Sequence, residues 1–156
     1  MTLSRIEREF HRKTAARCFN EAWVYLSKKH RGVPEDRHLL NLVHASRFHW
    51  SLVGTKRNQA VGDWQISRAY AALHQPRLAL QFAKSSLELC RKHDLVEFLG
   101  TAYEAMARAY AGAEDLPSAR VFLKKARAQL DASSIDDEDR EIFLGQIRET
   151  ERLIRR

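Results

Sequence analysis

The sequence predicts an all-α protein: a helical hairpin that recurs three times, closed by one further helix. Three observations carry this reading. Only 6 Gly and 3 Pro stand among 156 residues rich in Ala, Leu, Arg, Glu and Lys, which favours helix nearly throughout. The stretch from Ile66 to Leu89 reads as two helices around a tight corner at His74-Gln75-Pro76, neither long enough to bury its apolar face alone. The same pattern returns at a step of 40 residues in both directions.

Each element follows from that step. The first helix, over 3–30, carries Ile6, Phe10, Cys18, Phe19, Ala22 and Trp23, and its partner over 36–53 supplies Leu39, Val43 and Ser46. The second hairpin spans 58–74 and 77–93; its Ile66-Ser67, Tyr70, Ala79, Ala83 and Ser86 lie 40 residues beyond Leu26-Ser27, His30, Leu39, Val43 and Ser46. The third, over 96–113 and 116–131, repeats the series as Met106-Ala107, Tyr110, Ala119, Leu123 and Ala126. Small residues at fixed positions let paired helices approach closely, and the ring wedges between them. The last helix, over 137–155, has Ser133 and Ser134 as cap candidates, acids from Asp136 to Asp139 at its positive end, and Arg152, Arg155 and Arg156 at its negative end. Ile142, Phe143, Ile147, Leu153 and Ile154 give it one apolar face, as the cap of a short solenoid requires. The acidic run therefore reads as a helix start in preference to a calcium loop.

The order large–small–x–x–ring, then a turn, then Ala-x3-Ala-x2-small, resembles the tetratricopeptide repeat over about residues 20–132. Trp23 and Tyr103 match the motif's opening aromatic, and Tyr70 and Tyr110 the later one. Asp63 stands at the opening position of the second copy, the step is 40, and no proline closes each unit. The resemblance implies a right-handed stack of three hairpins (3–53, 58–93 and 96–131) with a capping helix over 137–155, all in one domain. It also implies a non-catalytic module that binds a protein or peptide.

Composition narrows the classes further. No apolar run approaches the ~20 residues of a membrane span, so membrane insertion is not expected. The start MTLSRIEREFHRK places charges where an export signal needs apolar residues. Cys18 and Cys90 stand apart and read as structural thiols in a reducing cytoplasm. Phosphate-loop, GxSxG, HExxH and zinc-spaced Cys/His patterns do not occur, so no enzyme class, cofactor or metal is suggested. His44 and His49 in HASRFHW are five apart, which on a helix separates them by about 140° and disfavours a chelate. Repeat position assigns Trp50 to packing and His44 to a solvated face.

The formal charge of +7 is concentrated in residues 1–57, which hold 12 Lys and Arg against 5 Asp and Glu. This N-terminal excess is either the solvated face of the first helix or an attraction for nucleic acid or an anionic surface. The exposed apolar surface expected on the first helix suggests a two-fold homodimer. Two sets of site residues stand out. Arg47 and Asp63 occupy positions where the next junction offers Leu87 and Tyr103, which suggests either an interhelical ion pair or, with Trp64 and Gln65, a small polar binding site. By the resemblance, Lys28, Arg68 and Arg108 recur at the 40-residue step on the concave face, with Trp64 a turn before Arg68 and Glu104 a turn before Arg108. Stacked cations beside a Trp suit an acidic peptide or a terminal carboxylate.

Overall fold

Four helices of equal length set the frame. A computed structural model describes residues 2–156. It places α3 at Lys56–Ala72, α4 at Pro76–Lys92, α5 at Val96–Gly112 and α6 at Leu116–Ala132, each of 17 residues and each starting 20 after the last. A longer pair precedes them, α1 at Arg5–Leu26 and α2 at Val33–Val53, and α7 at Asp137–Arg155 follows. Consecutive helices pack as antiparallel pairs in one continuous all-helical stack, with α1, α3, α5 and α7 contacting in series along one side. No helix among the described residues is long and apolar enough to cross a membrane.

The corners explain the 20-residue spacing. His74, Asp94 and Glu114 adopt left-handed backbone, with φ of 55°, 52° and 63°. After each, the next amide reaches back to a carbonyl five residues earlier, Gln75 to Tyr70, Leu95 to Cys90 and Asp115 to Tyr110, at 2.9–3.0 Å. These are Schellman closures, which usually place glycine where His, Asp and Glu stand here. The β-carbon costs about 1 kcal/mol or slightly more in this conformation. Glu114→Gly is therefore expected to stabilise the fold by roughly 0.5–1 kcal/mol, read as a higher urea midpoint with an unchanged slope. A lower midpoint would show that the Glu114 side chain holds the corner.

Alanine is the commonest residue of the interior, with larger residues at intervals. Ala60, Ala83, Ala102 and Ala105 surround Trp64, Leu87 and Met106 in the middle of the stack. Stacked rings repeat at the 40-residue step, Tyr70 on Phe82 and Tyr110 on Phe122, with centroids 5.7 and 5.6 Å apart. Buried serines tie helices together through main-chain carbonyls: Ser46 to Ala15, Ser67 to Ala79 and Ser86 to Ala60, all within 2.8–2.9 Å. Cys18 and Cys90 are free and buried, and burial pushes the Cys90 thiol up to about 11.

Three expectations are corrected. α1 stops at Leu26, not near residue 30, because Arg31 closes the following loop: its guanidinium donates to the carbonyls of Tyr25 and Ala72 and pairs with Asp36. The cap of α7 is Asp136, whose side chain accepts from the Asp139 amide, whereas Ser133 ends α6 and turns its hydroxyl back to Leu130. His44 is half-buried, not solvated. Its Nε2 lies 2.9 Å from the Tyr70 hydroxyl, its ring packs on Phe82, and burial lowers its pKa.

Candidate functional site

One side of the row formed by α3, α5 and α7 carries a cluster of four charges. Glu104 of α5 is fully buried. Its Oε1 accepts from Arg108 Nε at 3.0 Å, one turn along the same helix, and from the Thr150 hydroxyl of α7 at 2.6 Å. Arg68 of α3 approaches its other oxygen at 3.8 Å, too far for a hydrogen bond. Glu149, next to Thr150, turns outward. Its Oε2 lies 3.0 Å from Arg108 Nη2 and 3.5 Å from Arg68 Nη2, so both guanidiniums converge on one carboxylate oxygen.

The two arginines are not equivalent. Arg108 bonds both carboxylates directly, and these outweigh burial to raise its pKa. Burial and the neighbouring Arg108 lower that of Arg68, because its contacts to Glu104 and Glu149 are longer. Arg68 remains a cation at any physiological pH. Its charge rests on aromatic faces instead: the guanidinium carbon is 5.5 Å from the Trp23 ring and 5.6 Å from the Trp64 ring. Arg68 Nη1 has no hydrogen-bond acceptor among the described residues, nor does Glu104 Oε2 have a donor. A groove of about 480 Å³ opens beside this cluster, bounded by Trp23, Leu26, Ala71, Arg68, Arg108 and Glu149, with His74 and Leu153 at its margins.

α7 completes the site because it stands to α5 as α5 stands to α3, packing on both α5 and α6. Gly100 permits this seating: a β-carbon there would lie 3.1 Å from the Phe143 ring and 3.2 Å from Gln129 Cβ.

Of the residues expected on this face, Trp64, Arg68, Glu104 and Arg108 are brought together, and Lys28 is not. Lys28 falls beyond the end of α1, where it pairs with Glu35 and lies over the Tyr25 ring. Glu149, Thr150 and the role of Trp23 beneath Arg68 were missed. The available signal was the step itself: α7 begins about 40 residues after α5, so its inner residues continue the α5 series.

The second set of residues does not converge. Asp63, Trp64 and Gln65 are consecutive, about 100° apart around α3, and each faces a different neighbour. Asp63, 3% exposed, accepts from Arg47 Nε of α2 at 2.8 Å and from the Ser85 hydroxyl of α4 at 2.7 Å. Trp64 packs edge-on against Phe98 of α5. Gln65 donates to the Phe19 carbonyl of α1. Gly62 lets the Arg47 stem cross, since a β-carbon there would lie 2.7 Å from Arg47 Cδ. The arrangement is a three-helix clasp between α2, α3 and α4. No group of three or more His, Cys, Asp or Glu side chains suited to a metal occurs among the described residues.

No protein-family model, curated protein or solved structure matches the chain.

Proposed function

We propose that this chain is a non-catalytic, tetratricopeptide-like binding module with a right-handed stack, whose inner groove receives an acidic peptide or a terminal carboxylate. One observation carries the reading: Arg68 and Arg108 already converge on a carboxylate, that of Glu149, at the edge of an open groove. Glu149 is half-exposed within α7 and serves as a local stand-in for a ligand. An incoming carboxylate takes its place on Arg68 Nη2 and Arg108 Nη2, with Trp23 supplying an apolar wall. Arginine suits this exchange because its planar fork accepts a second carboxylate geometry without losing charge.

The test is calorimetric titration of an acidic peptide ending in a free carboxylate. Glu149→Gln removes the competitor, so affinity is expected to rise on the order of tenfold, the scale of one charge-assisted contact. Arg68→Gln is expected to abolish that gain. Equal affinities for all three proteins would refute the groove as the site. Charge reversal at Arg68 or Arg108 is a poor probe, since it sets another carboxylate against buried Glu104.

A further inference from the structure

We propose that the open N-terminal end of the stack is a docking face for an anionic lipid bilayer. This is independent of the inner groove.

The face combines protruding apolar side chains with unneutralised positive charge. Ile6 and Phe10 of α1 are 80% and 60% exposed; Phe48 and Leu52 of α2 are 58% and 41% exposed. They form one patch. The antiparallel pair brings His11 and His49 into contact, Nδ1 to Nδ1 at 2.7 Å, and both Phe10 and Phe48 pack edge-on against the His49 ring. Ile6 lies one turn before Phe10, and Leu52 one turn after Phe48, so the four side chains stand together at the same end of the hairpin. In register, α1 begins 11 residues before the position equivalent to the start of α3, and every residue from Ser4 to Phe10 is exposed. A projecting, basic segment with two exposed apolar side chains results.

Charge selects the partner. All 5 carboxylates of residues 1–57 are engaged: Glu7 in the α1 cap, Glu9 with Lys13, Glu21 with His38, Glu35 with Lys28 and Asp36 with Arg31. Of the 12 Lys and Arg there, Lys13, Lys28, Arg31 and Arg47 are paired. The rest, Arg5, Arg8, Arg12 and Arg17 among them, form no salt bridge among the described residues. A second copy would press these cations against their own images. An anionic partner neutralises them, and a fluid one accepts side chains that project where a rigid protein would need matching hollows. Arg5, Arg8, Arg12 and Lys13, with Glu9, lie together on the solvent-facing surface of α1 and supply cations for headgroup phosphates.

The test is flotation of the full chain with phosphatidylcholine vesicles, with and without phosphatidylserine. Binding is expected only to the phosphatidylserine vesicles and falls as salt is raised. Phe10→Ser with Phe48→Ser leaves the charge intact and is expected to weaken binding on the order of tenfold. Arg5→Gln, Arg8→Gln and Arg12→Gln together weaken it similarly; all five positions are exposed, so helical content should hold, and if the Phe variant unfolds the Arg variant decides. Failure to float with phosphatidylserine vesicles, or flotation unaffected by both variants, overturns the proposal. So does light scattering that shows a dimer dispersed by the Phe variant, or binding to a DNA or RNA duplex in preference to the vesicles.

Discussion

Glu104→Ala is expected to lower stability by about 3–5 kcal/mol, among the largest effects of any single substitution in this chain. The loss has two sources. The side chain is fully buried, so its removal leaves a cavity. It also leaves Arg68 and Arg108 facing one another with only the half-exposed Glu149 between them, and strands the Thr150 hydroxyl. Glu104→Gln separates the two contributions. It keeps the shape and can still accept from Arg108 and Thr150, so what it loses is the charge. Urea unfolding of both variants gives the partition, and an Ala variant within 1 kcal/mol of the parent would mean that Glu104 is not the anchor of the cluster.

Ile147→Ala is expected to cost about 2–5 kcal/mol. Ile147 is fully buried in the last core cluster, together with Ala107, Leu123 and Phe143, and helps join α7 to the rest of the stack. In a stack where each unit contacts only its neighbours, damage at one end stays local. Hydrogen exchange should therefore quicken in α7 and α6 while α1 and α2 keep their protection. A uniform loss of protection along the chain would show that the units fold as one cooperative block.

Much of this architecture could be read from spacing. The positions held by Ala79 and Ala119, or by Tyr70 and Tyr110, mark where helices touch, and contact geometry constrains residue size more than any other property. That is why α3 to α6 fall within two residues of their expected bounds. The Arg47–Asp63 contact was legible for the same reason, as a polar pair where the next junction is apolar. Lys28 misled because the step describes packed helices, while the end of α1 is decided by a loop that Arg31 closes from outside the pattern. Glu149 and Thr150 were missed because their partners are 41 and 46 residues away; nothing in the local text of α7 announces a carboxylate and a hydroxyl aimed at α5, and only the step continued from α5 into α7 points to them. His44 gave a different lesson. Its aligned positions are the lysines Lys84 and Lys124, yet the His44 ring packs on Phe82 and bonds the Tyr70 hydroxyl, contacts that residue class at the aligned positions does not foretell.

The measurement that bears most directly on the central claim is a nitrogen–proton spectrum of the three indole groups during the acidic-peptide titration. Trp23 lines the groove and Trp64 flanks Arg68, whereas Trp50 lies on α2, away from the cluster. If the groove is the site, the Trp23 signal moves with saturation at a lower peptide concentration in the Glu149→Gln protein, and Trp50 stays fixed. Saturable binding that leaves Trp23 unmoved, or that moves Trp50 instead, would contradict the account.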